Sequence, residues 1–157
     1  TAAVGALVAA GANLEAQSKY QDTPLHLAVI KGHKAVVEVL VAAGANLEAK
    51  SKDQFTPLHM AAMEGHTAAV GALVAAGANL EAQSKYQDTP LHLAVIKGHK
   101  AVVEVLVAAG ANLEAKSKAQ HTPLHLAAME GRTAAVGALV AAGANLEAQS
   151  KCKYTPL

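Results

Sequence analysis

Thr-Pro-Leu occurs five times, beginning at Thr23, Thr56, Thr89, Thr122 and Thr155, and every interval is 33 residues. A strict period of that length dictates a stack of like supersecondary units, each too small to cover its own apolar face and obliged to bury it on the next. A second period lies over the first. Aligned at an offset of 66, residues 1–91 and 67–157 differ at seven positions, so the building block is a pair of unlike repeats. One type carries HLAVIKGHKAVVEVLVAAG and the other AAMEGHTAAVGALVAAG. Such near-identity points to a recent duplication or to an engineered gene.

Each period contains the signals for two short helices. Thr23 is a good N-cap, and Pro24 suits the first helical position, where its missing N–H costs nothing. Leu25, Ala28 and Val29 form an apolar stripe at helical spacing, and Gly32 supplies a left-handed residue to end the helix. A second helix is predicted from about Lys34 to Ala43, with Val36, Val37, Leu40 and Val41 on its apolar side and Gly44 as terminator. Neither is long enough to be stable alone. Hydrophobic residues make up 52% of the chain, yet Trp is absent and Phe occurs once, so the core must be built from Ala, Val and Leu. The stretch ANLEAKSKDQF is polar and turn-like and returns the chain to the next Thr-Pro.

TPLHLA, then Gly-His, then a leucine-valine helix, then Ala-Gly-Ala-Asn, repeated every 33 residues, resembles an ankyrin-repeat array over the whole chain. The resemblance implies an all-α solenoid of antiparallel helix pairs with projecting β-hairpin loops. It implies protein binding through the hairpin tips and the concave helix face, with no shared active site. It further implies that the TPLH histidine is structural and bonds near the threonine, and that the Gly-His residue ties the helix start to the hairpin. The repeats are placed at 19–51, 52–84, 85–117 and 118–150, after a partial repeat at 1–18 that lacks its first helix and before the start of another at 151–157. Two departures stand out. Gln21, Gln54, Gln87, Gln120 and Lys153 occupy a tip position where the family commonly has Gly. If that position keeps a positive φ, each side chain there is unfavourable by roughly 1 kcal/mol, and a different turn is expected. An asparagine that is hydroxylated in some family members is here Glu48, so that modification is not expected.

Five of the seven differences between the two halves fall in the triplets that precede TPL, and all four aromatic residues, Tyr20, Phe55, Tyr86 and Tyr154, sit in these triplets. Rigid aromatic side chains on projecting loops offer large contact area for little lost rotamer freedom, as binding surfaces require. The candidate protein-binding residues at the tips are therefore Tyr20, Asp22, Asp53, Phe55, Tyr86, Asp88, Ala119, His121 and Tyr154. The end of each first helix adds Ile30, Lys31, Met63, Glu64, Ile96, Lys97, Met129 and Glu130 on the concave face. Along that face the charge alternates, and the lysines and glutamates of neighbouring repeats are expected to pair in solvent.

Other chemistries find little support. A formal net charge of +1 with both signs mixed along the chain offers no basic stripe for nucleic acid. The longest apolar run contains a glutamate, so no membrane span is expected. No signal sequence opens the chain, and the single cysteine, Cys152, excludes an internal disulfide framework, so an intracellular setting is the expectation. The eight histidines come without the cysteine clusters of a metal site. GANLEAKS from Gly44 nearly matches a phosphate-cradling loop, but Ala49 replaces its second glycine and Glu48 lies inside it. No nucleophile recurs beside a histidine at catalytic spacing, and no cofactor is expected. Val, Leu and Ala at both ends favour head-to-tail self-association. The reading is a non-catalytic protein-interaction module with an unidentified protein partner, and the alternative is a structural spacer, a self-associating array or an engineered scaffold.

Overall fold

The computed structural model describes residues 1–157 and contains nine helices and no strands. Four helices open on Thr-Pro: α2 (Pro24–Ile30), α4 (Pro57–Glu64), α6 (Pro90–Lys97) and α8 (Pro123–Met129). In each, the threonine hydroxyl accepts the backbone N–H of the histidine three residues on, while that histidine's ring accepts the threonine N–H. Two of the orphan donors of the first turn are thereby satisfied, with histidine taking the part that a glutamate plays in the usual capping box. Five helices carry the leucine-valine or leucine-alanine pattern: α1 (Ala2–Ala9), α3 (Lys34–Ala42), α5 (Thr67–Ala75), α7 (Lys100–Ala108) and α9 (Thr133–Ala141).

First helices pack on first helices, α2 on α4 on α6 on α8, and second helices stack likewise from α1 to α9. The layers meet along equivalent positions of successive repeats. Leu25, Leu58, Leu91 and Leu124 are at most 1% exposed, and Leu73, Leu106 and Leu139 are fully buried in the second layer. Ala61, Ala94 and Ala127 are fully buried between first helices, where the small side chain allows close approach. Each buried leucine contributes about 2 kcal/mol, but only once the next repeat is in place.

Polar bonds then lock the register between repeats. The Nε2 atoms of His26, His59, His92 and His125 donate to the carbonyls of Phe55, Asp88, His121 and Tyr154 at 2.9–3.1 Å. Hence the residue before each Thr-Pro holds the stack with its backbone, and its side chain is free to vary. A second ladder joins the loops after the second helices. The carboxylates of Glu15, Glu48, Glu81 and Glu114 accept the N–H groups of Asn46, Asn79, Asn112 and Asn145, each at 2.8 Å. The Gly44 loop thus has the Asn46 amide closed by a carboxylate, leaving it unsuited to phosphate.

Three expectations are corrected. The Gly-His residue does not reach a hairpin. Its ring crosses to the preceding repeat, where His66 donates to the carbonyl of Ile30 and His99 to that of Met63, both at 3.0 Å. Arg132, at the equivalent position, donates through Nε and Nη2 to the carbonyl of Ile96 at 3.2 and 2.9 Å, which explains why arginine replaces histidine there. Gly65, at φ 75°, leaves room for this contact, since a Cβ would lie 2.5 Å from the His99 ring.

The projecting loops are not paired strands. Each is a tight turn, and successive members of the first four are joined by one backbone bond: Lys52 N–H to Tyr20 O at 2.9 Å, Lys85 to Asp53 at 3.3 Å and Lys118 to Tyr86 at 2.9 Å. Nor does a side chain at the usual glycine position change the turn. Gln21, Gln54, Gln87, Gln120 and Lys153 all stay left-handed, with φ between 60° and 63°. Ser18 N–H donating to Asp22 O and Gln21 N–H donating to Ser18 O, at 3.0 and 2.9 Å, hold that conformation against its intrinsic cost. Gln54→Gly is accordingly expected to stabilise the chain by about 0.5–1 kcal/mol, the steric relief exceeding glycine's added unfolded-state entropy. A urea midpoint that stays level or falls would show the turn to be unstrained.

Candidate protein-binding surface

The tips are rigid because each turn is closed twice. Besides its backbone bonds, the hydroxyl of Ser18 accepts the N–H groups of Tyr20 and Asp22 at 3.2 and 3.3 Å. Ser84 does the same for Tyr86 and Asp88. Side chains mounted on these turns are therefore held in place before any partner arrives, which lowers the ordering cost of binding.

Tyr20, Tyr86 and Tyr154 stand 57%, 50% and 72% exposed. The ammonium groups of Lys19 and Lys85 lie over the rings of Tyr20 and Tyr86, 4.8 and 5.0 Å from their centres. Phe55 is half-buried against the ring of His59, at 5.8 Å between centroids, and His121 stacks on His125 at the same separation. Ala119 is exposed. Asp53 is half-buried and paired with Lys85. Asp22 turns inward and is only 9% exposed, while Asp88 is half-buried, and burial pushes its carboxyl above the usual aspartate range.

On the inner face Ile30, Met63 and Ile96 are half-buried and Met129 is exposed. Lys31, Glu64, Lys97 and Glu130 are all exposed, and none of them makes an ion pair. The expected pairing along this row is thus corrected. The ion pairs that do form are Lys34–Glu38 and Lys100–Glu104 within helices and Lys85–Asp53 between tips. The row's charges are left to solvent or a partner.

Stacking also gathers charge that looks mixed along the sequence. Lys19, Lys52, Lys85, Lys118 and Lys151 are all exposed, and the first four tips are bonded in series, so one lysine per repeat lines the tip edge. The glutamates of the Asn-Leu-Glu loops lie on their own ladder instead. Averaged along the chain, charge hides this lysine row, which emerges only at a fixed position in the period.

Both ring nitrogens of each TPLH histidine are engaged with threonine and backbone. No group of three or more His, Cys, Asp or Glu side chains is arranged to hold a metal ion, and no helix is long and apolar enough to cross a membrane. Cys152 is exposed at the last tip. An apolar groove of about 460 Å³ between α1 and α2 exposes Leu7 and Leu27.

A solenoid of short helix pairs, locked by a threonine-histidine cap and presenting rigid tips beside an inner helix face, defines a repeat scaffold. The sequence pattern described as ankyrin repeats (3 copies) matches residues 1–84 and 73–150. The chain belongs to the ankyrin-repeat family, whose repeats are generally protein-interaction modules and generally non-catalytic. No curated protein matches the chain in sequence comparison.

Proposed function

We propose that this chain is a non-catalytic protein-binding module whose partner lies across the tips and the inner face of the first helices. The observation that carries the reading is the placement of the tyrosines. Tyr20, Tyr86 and Tyr154, all of the chain's tyrosines, are at least half exposed on tips held rigid by serine and backbone bonds. Three large side chains kept in water have no folding role that would require them, whereas aromatic anchors dominate binding energies. The inner-face residues Ile30, Lys31, Met63, Glu64, Ile96, Lys97, Met129 and Glu130 extend the surface with side chains that make no ion pairs among themselves.

The test is affinity capture from the source cell's lysate with the native chain and with Tyr20, Tyr86 and Tyr154 changed to alanine. Phe55 is left alone because it packs on His59. A protein retained by the native chain should be lost or weakened by about tenfold or more in the variant, at about 1–2 kcal/mol per aromatic anchor. Capture of nothing, or capture indifferent to the tyrosines, would turn the reading toward a spacer.

A further inference from the structure

The tip junction between the first two complete repeats contains a small cup whose lining is altered at its counterpart 66 residues later. Its volume is about 210 Å³, the size of one long side chain. Asp22 and Asp53 supply carboxylates, Tyr20 and Phe55 supply aromatic walls, and Met60 and Ser51 complete the lining, with Lys52 also present. Asp22 is 9% exposed, and its Oδ1 atom is buried with no hydrogen-bond partner. A buried carboxylate oxygen without a donor is unfavourable, and a turn of the Asp22 side chain toward a ligand in the cup that brings a donor would relieve it. Three of the seven differences between the two halves fall on the lining: Asp53, Phe55 and Met60 become Ala119, His121 and Leu126. The remaining lining residues return unchanged as Tyr86, Asp88, Ser117 and Lys118.

A carboxylate below aromatic walls suits a guanidinium, which is planar, donates two parallel N–H bonds to one carboxylate and stacks on rings. The charges around the cup restrict what can carry it. Asp53 is partly neutralised by Lys85, Lys19 sits over Tyr20, and Lys52 belongs to the lining. A generally basic segment would be repelled by this row, whereas an arginine flanked by acidic residues meets both features. We propose that the Asp22 cup binds an arginine side chain within an otherwise acidic segment of a partner protein, the flanking carboxylates lying on the tip lysines. This rests on the protein-binding reading of the tips and names the chemistry of the partner.

The test titrates the full chain, followed by backbone amide NMR at low ionic strength, with acetyl-Glu-Glu-Arg-Glu-Glu-amide and with the same peptide bearing citrulline, which keeps the shape and loses the charge. Saturable shifts are expected at Tyr20, Ser51 and Phe55, weakened about tenfold by citrulline through loss of the charge-assisted pair. Asp22→Asn should weaken binding equally, and Asp88→Asn should leave it unchanged. Introducing Ala119→Asp, His121→Phe and Leu126→Met together should create a second saturable set at Tyr86 and Ser117, with the same spectra confirming that the variant is folded. Equal binding of both peptides, no binding at all, or a folded triple variant with only one site would each overturn the proposal. Failure of the peptide with successful tyrosine-dependent capture would refute the cup alone. The reverse pair of results would leave the cup standing and refute the wider tip surface.

Discussion

Replacing His59 by alanine is expected to be among the most damaging single changes in the molecule, lowering stability by about 3–5 kcal/mol. The ring is fully buried at the centre of the stack. Its Nδ1 atom accepts the Thr56 N–H at 3.1 Å and lies 2.9 Å from the Thr56 hydroxyl, and its Nε2–H donates to Asp88 O at 2.9 Å. Alanine leaves the Thr56 N–H without a partner, takes from Asp88 O the one bond that ties it to α4, removes half of the α4 capping box and opens a cavity beside Phe55. Because each repeat is stable only through its neighbours, the loss at α4 uncouples α2 from α6 as well. Urea denaturation measures it. A midpoint within about 1 kcal/mol of the native chain's would show that the histidine caps, for all their regularity, do not hold the stack together.

Acidification from pH 7 to pH 4 is expected to remove a similar amount of stability with no mutation at all. Burial lowers the pKa of His59 to about 4, and it lowers those of His26 and His92 as well. The bonding pattern explains the direction. Thr56 N–H can only donate and Asp88 O can only accept, so the ring is held neutral with its proton on Nε2, and a second proton on Nδ1 would face the Thr56 amide. The unfolded chain binds protons at these histidines near pH 6.5 while the folded chain does not, so the unfolded state carries more protons between the two values and stability rises with pH there. The contribution is complete above about pH 6.5 and is lost as pH falls toward 4. For His59 it amounts to about 3 kcal/mol, at 1.36 kcal/mol per pKa unit. Asp88 opposes this, since its raised pKa lets the folded state take up a proton first, but it is half-buried and its effect is smaller. Denaturation midpoints measured at half-unit intervals should fall steadily below pH 6.5. A flat profile down to pH 4.5 would mean that the rings accept the second proton without cost.

Much of the fold is legible in the residues. Thr-Pro marks four helix starts because a capping hydroxyl and a preset φ act within one turn. Leu25, Val29, Val37 and Leu40 are buried, as their helical spacing requires. The tip aromatics could be singled out because they depart from an otherwise constant frame. Other features were not readable. Phe55 and Tyr20 look alike as tip aromatics, yet one leans on a histidine and the other stands in water. Their places in the triplet put them on different sides of a left-handed residue. Asp22 and Asp53 are both tip aspartates, and only the packed neighbour decides that the first is buried. Local cost alone predicts a changed turn at Gln21, and the bonds of Ser18 outweigh that cost.

The residues by themselves determined the period, the helix pairs within it and a core of small aliphatic side chains, because caps, apolar stripes and glycine stops act over a few residues. Only the tertiary structure decided which groups meet between repeats. The joining bonds link residues 29, 31 and 36 apart, as in His26 to Phe55, Glu15 to Asn46 and Ile30 to His66. These separations straddle the 33-residue period by amounts set by how one helix pair seats on the next. That seating is governed by side-chain packing across the stack, and it is what carries Gly-His to a helix end, aligns the tip lysines and closes a cup around Asp22.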